Sequence, residues 1–189
     1  MSLEENYKQA CKLIDIESYI DYYAAQIYIA RYNDWPATNI AVWRTRKNDG
    51  SHYGDCRWRW MLFDVNSGGL SADQTDADTL LDTLMDDRVF YSLYLNQEFR
   101  VRFAKRLLYI GREIFNEENC RIFLDNYSET MREPIAQSNL RFYNEEKRDL
   151  FDDNVKNTGL FFEKRYEVVW NFMVNNMGEA WLEENGIQK

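Results

Sequence analysis

The sequence is poor in the residues that interrupt a chain, with two prolines and eight glycines among 189 residues. No Gly/Ser-rich linker and no internal repeat divides it, so one domain is expected over 4–189, with residues 1–3 a cloning-derived start. Cysteine is scarce as well. Cys11, Cys56 and Cys120 are odd in number, far apart and without a Cys-x-x-Cys pair, which excludes a disulfide framework and a zinc site and predicts buried or half-buried free thiols. Positive charge is in deficit, 23 Lys and Arg against 32 Asp and Glu, for a net charge of -9 and a pI near 4.8. Nucleic acids and anionic membranes are bound by clustered Lys and Arg, so neither is expected as a partner. No run approaches the roughly 20 apolar residues of a membrane span, and the first residues lack the basic and apolar regions of a signal peptide.

The chain is rich in hydrophobic residues, 45%, and in aromatic ones, 16%, enough for one sizeable core. After an acidic opening helix, Ile16, Tyr19, Ile20, Tyr23, Ala24, Ile27 and Tyr28 recur at the spacing of one buried helix face, and the run ends near Arg31-Tyr32. The next segment, Asn33 to Asn39, holds Pro36 and turn-forming Asn and Asp and predicts an ordered loop. Asn39 to Arg46 and Arg57 to Asp64 are rich in aromatic and β-branched residues and flank the turn signal Lys47-Asn48-Asp49-Gly50-Ser51, predicting two antiparallel strands. Beyond a polar stretch from Asn66 to Asp78, helical spacing recurs over Thr79 to Met85, Val89 to Leu95, Gln97 to Phe115, Glu117 to Met131, Ile135 to Tyr143 and Asn157 to Asn175. Pro134 is expected to separate two helices. The fold class is mainly α with a small antiparallel β-hairpin.

Asp34 and Asn39 lie five positions apart on the loop before the first strand, and Asp64 closes the second, so a hairpin would bring three oxygen-bearing groups to one side. Phosphoryl transfer uses such a set: a carboxylate for the proton of the attacking hydroxyl, and an amide oxygen and second carboxylate for a hard divalent ion. The Asp-x-x-x-x-Asn spacing alone is unspecific, since Asp149 and Asn154 repeat it. The order of loop Asp, Asn at a strand mouth, hairpin and strand-end Asp gives it context.

Ile20-Asp21-Tyr22-Tyr23-Ala24-Ala25, Asn33-Asp34-Trp35-Pro36-Ala37-Thr38-Asn39 and Trp60-Met61-Leu62-Phe63-Asp64-Val65-Asn66 resemble the spore coat protein H (CotH-like) kinase family. Asn96-Gln97-Glu98-Phe99-Arg100-Val101-Arg102-Phe103 extends the resemblance downstream. It implies the helical, C-lobe-like half of an atypical protein-kinase-like fold that transfers phosphate from ATP, with Mg²⁺ or Mn²⁺, to Ser or Thr of a protein substrate. It further implies Asp34 as catalytic base, Asn39, Asp64 and Asn66 at the metal positions, and a bacterial spore-coat or exported, cell-surface setting. Two departures stand out. Asn66 replaces the family's second acidic residue, removing a carboxylate from the metal site. Nothing ahead of the leading helix could supply the β-rich lobe with its nucleotide-gripping Lys or Arg, so the 189 residues alone are expected not to turn over. A kinase-like scaffold without catalysis is the second reading. A generic helical binding module, in which the three residues would not converge, is the third.

Several other features are expected to be structural. His52, the single histidine, sits in the hairpin loop without a carboxylate partner. Trp35, Trp43, Trp58 and Trp60 are expected to pack the hairpin on the helices. The run Asp73, Asp76, Asp78, Asp82, Asp86, Asp87 lacks calcium-loop spacing and predicts a solvated face, as does the exposed helix expected over Glu145-Glu146-Lys147-Arg148.

Overall fold

A computed structural model describes residues 4–31, 35–36, 38–65 and 69–189. The order is α1 (Glu4–Leu13), α2 (Ile16–Tyr28), β1 (Ala41–Trp43), β2 (Arg59–Met61), α3 (Thr79–Asp86), α4 (Arg88–Tyr94), α5 (Gln97–Tyr109), α6 (Glu117–Tyr143), α7 (Arg148–Met177) and α8 (Glu179–Glu184). The strands pair antiparallel with Ala41 opposite Met61 and Trp43 opposite Arg59, a shorter ladder than the aromatic runs predict. A parallel bridge between Ile14 and Trp58, with the Trp58 N–H bonded to the Leu13 carbonyl at 2.8 Å, fastens the hairpin to the α1–α2 corner. Among the described residues no helix is long and apolar enough to cross a membrane.

The core is aromatic and centres on α2. Its apolar face puts Tyr19, Tyr23, Ile27 and Tyr28 out of solvent, with Tyr23 stacked on Phe90 of α4 at 4.9 Å and Tyr19 edge-on to Trp60 of the hairpin at 4.5 Å. The N-terminus of α2 is capped by Asp15, whose Oδ1 accepts from the Ser18 N–H at 3.4 Å. Its C-terminus closes in a Schellman arrangement, with Ala30 N–H bonded to Ile27 O at 3.2 Å and Arg31 N–H to Gln26 O at 3.1 Å. Ala30, at φ +57°, takes the left-handed position that glycine usually fills.

The other helices begin as their sequences dictate. Asp78, Asp87, Asn96 and Asn116 each cap the helix that follows through a side-chain oxygen. Two of the six expected solvated aspartates therefore have both capping and tertiary partners: Asp87 also accepts from the Tyr23 hydroxyl, and Asp78 accepts from Asn176 Nδ2 at 2.9 Å. Helix α5 passes into a π-helical turn, Ile110–Ile114, where Gly111 lets α5 close on α2 and α7. A Cβ there would stand 2.6 Å from the Tyr28 ring and 2.7 Å from Tyr166.

Two expectations are corrected. Pro134 does not separate helices, because α6 runs through it from Glu117 to Tyr143. A proline in a helix interior forfeits one backbone hydrogen bond. Side chains across to α7 accompany this helix past the defect, with Arg132 bonded to Asp152 at 2.8 Å and Glu133 paired with Arg148 at 2.7 Å. Nor do residues 145–148 form an exposed helix. Asn144 at φ +58° and Lys147 at φ +51° make the turn between α6 and α7, and Arg148 opens α7. The thiols are half-buried at Cys11 and Cys56 and buried at Cys120, where burial pushes the thiol up to about 11.

Arg165 of α7 ties the layers together. It is fully buried, and its guanidinium donates to Tyr28 O at 2.8 Å, Ile27 O at 2.9 Å, Thr75 O at 2.6 Å and Ala77 O at 2.8 Å. Burial pushes its pKa down to about 10, which leaves it protonated at neutral pH. Arg165→Met would strand the Tyr28, Thr75 and Ala77 carbonyls in the core and is expected to cost about 3–5 kcal/mol in urea unfolding, with Arg165→Lys restoring less than half because an ammonium lacks the planar fork.

Candidate functional site

The site is built where the end of α2, the mouth of β1 and the exit of β2 meet. Trp35 anchors the loop into β1: it is buried, lies 5.5 Å from the Tyr23 ring, and donates from Nε1 to the Tyr22 hydroxyl at 2.9 Å. Burial is the main reason the Tyr22 phenol is raised above its ordinary value, so it stays protonated. Trp60 also packs on the core through Tyr19, whereas Trp43 and Trp58 lie over guanidinium groups of the hairpin, Arg59 and Arg44. His52 is exposed and sits edge-on to Tyr53 at 4.4 Å.

The hairpin is held to the N-terminus of α2 by charge. Arg59, 3% exposed, bonds Asp15 at 2.8 Å and Asp55 at 2.7 and 2.9 Å, while Arg57 adds a 2.6 Å bond to Asp55. Since Asp15 caps α2, one carboxylate sets the helix start and the strand position together. Asp55 is held well below the usual carboxylate range, first by its hydrogen bond from Arg59 and then by the Arg57 N–H.

From this anchored strand the chain reaches Asp64. Asn39 Nδ2 donates to Asp64 Oδ2 at 2.8 Å across 25 residues of sequence. Both residues are left-handed, Asn39 at φ +52° and Asp64 at φ +51°, a conformation that Asn and Asp tolerate better than other side chains carrying a Cβ. Asn39 is half-buried and Asp64 exposed, so the pair faces solvent. A turn-forming role accounts for the two φ angles. It does not account for the two head groups meeting.

Two of the expected site residues are thus brought together. Asp34 and Asn66 lie outside the described residues. Among the described residues no three His, Cys, Asp or Glu side chains converge as a metal cage. The donor chemistry available, an amide and a carboxylate open to water, suits a hard ion that takes oxygen ligands and keeps several waters, as Mg²⁺ does. Asp149 and Asn154, which share the spacing, sit exposed on α7 and do not join the site.

The family model described as CotH kinase protein matches residues 1–169, most of the chain. The chain belongs to the CotH kinase family. No curated protein and no solved structure matches it. In this CotH kinase family member the matched region contains both halves of the Asn39–Asp64 pair, together with α2 and the hairpin that position them.

Sequence reasoning missed Arg31. The helix it terminates was legible, but its guanidinium is buried and donates to the backbone carbonyl of Asp64, 33 residues away. The available signal was a cation placed at the end of an otherwise apolar helix face and directly ahead of the Asn-Asp-Trp-Pro loop.

Two outcomes are expected. Asp55 has a depressed folded-state pKa, so its stabilisation is present above the unfolded carboxylate value near 4 and is lost as pH falls through the lower folded value. Urea titrations from pH 7 to pH 2 should show a smaller acid loss of stability in Asp55→Asn than in the wild type. Thermal unfolding should further place Asn39→Gly close to the wild type, because glycine accepts φ +52°, and Asn39→Ala about 1 kcal/mol below it.

Proposed function

We propose that the chain is the helical, C-lobe-like part of an ATP-dependent protein kinase that phosphorylates Ser or Thr of a protein substrate. The observation that carries this reading is the Asn39–Asp64 pair at 2.8 Å on the solvent side of the hairpin mouth, in a chain of the CotH kinase family. Asn39 and Asp64, with Asn66, would hold Mg²⁺ or Mn²⁺, which when bound supplies positive charge against the nucleotide phosphates. Asp34, one residue before the anchored Trp35, would orient the acceptor hydroxyl and take its proton as the oxygen attacks the γ-phosphorus. The bond to the β–γ bridging oxygen breaks in that step, and ADP leaves. Trp35, next in sequence to Asp34, is fixed to α2 through the Tyr22 hydroxyl. The source is proposed to be bacterial, and the acceptor a spore-coat or cell-surface protein.

One observation favours a second reading. Asn66 stands where the family has a second acidic residue, so a scaffold that keeps the fold without turnover is the rival. Phosphate transfer from labelled ATP with Mn²⁺, measured on the full-length gene product, separates the two. The kinase reading expects label on the protein and a fall of at least about a hundredfold in Asp34→Ala and Asp64→Ala, the scale of a lost general base or charge-stabilising group. Absence of label together with absence of any nucleotide-dependent thermal shift would establish the scaffold.

A further inference from the structure

The end of α2 grips the segment that follows Asp64 at two points. At one, Arg31, 1% exposed, donates from Nη1 to the Asp64 carbonyl oxygen. At the other, the Leu70 N–H bonds to Ile29 O at 3.2 Å. Gly69, at φ +101°, makes the second contact possible, since a Cβ there would stand 2.2 Å from Ile29 O and 2.9 Å from Ala30 O. Ile29 and Arg31, two residues apart, thereby contact Leu70 and Asp64. Arg31 is itself fixed by its backbone N–H to Gln26 O at 3.1 Å, in the last turn of α2.

The first of these contacts bears on the site. A carboxylate on a left-handed residue at the exit of a strand has several orientations open to it, and the direction of its Cα–Cβ bond follows from how its own peptide plane is held. The Asp64 carbonyl is held by buried Arg31, whereas its head group is exposed. We propose that Arg31 is a positioning residue for the metal-binding pair: by fixing the Asp64 carbonyl it aims the Asp64 carboxylate at the Asn39 amide. That an ion occupies the pair rests on the kinase reading, whereas the aiming of Asp64 does not. The guanidinium fork is specific to the task. A lysine ammonium at this position offers a point charge on a flexible stem, without the planar donor set that fixes direction as well as distance.

The test uses the whole 189-residue chain, the Asn39 side-chain amide resonances as reporter, and Mn²⁺ binding followed by electron paramagnetic resonance. Arg31→Lys is expected to move the Asn39 amide to the position it takes in Asp64→Ala and to weaken Mn²⁺ binding by about tenfold or more. Leu182→Ala, a buried and remote substitution matched for loss of Tm, is expected to leave both in place. An Asn39 amide that stays put in Arg31→Lys, or that moves equally in Leu182→Ala, overturns the proposal. Wild-type protein supplies a further check that needs no variant to fold: a scalar coupling across the hydrogen bond from Arg31 Nη1 to the Asp64 carbonyl carbon is expected, and its absence overturns the proposal. Failure of the wild type to bind Mn²⁺ would remove the metal from the kinase reading, while the amide comparison would still decide the role of Arg31.

Discussion

The rest of the structure depends on α2 being gripped at both ends by buried arginines that come from elsewhere in the chain. At its N-terminus Arg59 of β2 reaches the capping carboxylate of Asp15. At its C-terminus Arg165 of α7 takes the carbonyls of Ile27 and Tyr28, two of the acceptors that every helix end leaves without an intrahelical partner. A guanidinium suits this position twice over, because it carries five donors in one plane and because a cation is favoured at the negative end of a helix dipole. The same group takes Thr75 and Ala77, so the polar stretch after the hairpin is fixed to the helix that precedes it. Removing this single side chain would thus withdraw an anchor that α2, the 71–79 segment and α7 share.

The site follows from this grip. With Arg59 fixing β2 against the start of α2 and Arg31 meeting Asp64 at its end, the six residues from Arg59 to Asp64 are held at both limits along the length of the helix. Left-handed residues gather at the same place: Ala30, Asn39, Asp64 and Leu70. For Ala30 and Leu70 that conformation costs about 1–2 kcal/mol each without relief from the side chain. Such residues persist only where their surroundings determine them, and they concentrate at sites that do something besides fold.

What the sequence made legible was what local spacing encodes. The apolar face of α2, the hairpin with its Asn-Asp-Gly turn and the helical second half follow from side-chain period and turn chemistry, and the hairpin brings the backbone at Asn39 near that at Asp64. Pro134 was misread because its tolerance depends on α7, which begins fourteen residues later, and not on anything within its own helix. The turn at 144–147 was misread because a mixed-charge run is as compatible with an exposed helix as with a loop. Arg31 and Arg165 were not visible as organising residues, since their partners are backbone carbonyls 33 to 138 positions away, and a carbonyl leaves no mark in the sequence. Asp34 and Asn66 enter through the family resemblance, and Asn39 and Asp64 through resemblance and geometry together.

The balance of the Asn39–Asp64 pair bears on why it exists. An exposed hydrogen bond of this kind stabilises a fold by about 1 kcal/mol at most. Holding two residues that carry a Cβ in the left-handed region costs a comparable amount, even with Asn and Asp as the least unfavourable choices. Folding alone therefore gives little reason to present an amide and a carboxylate to solvent on such a backbone. A cation bound as proposed would change the balance, since a ligand at a hundred times its dissociation constant adds about 2.7 kcal/mol to the native state. A scaffold that had lost its ion would keep the backbone cost without that contribution, leaving the Arg31 contact at the Asp64 carbonyl to hold the two side chains face to face.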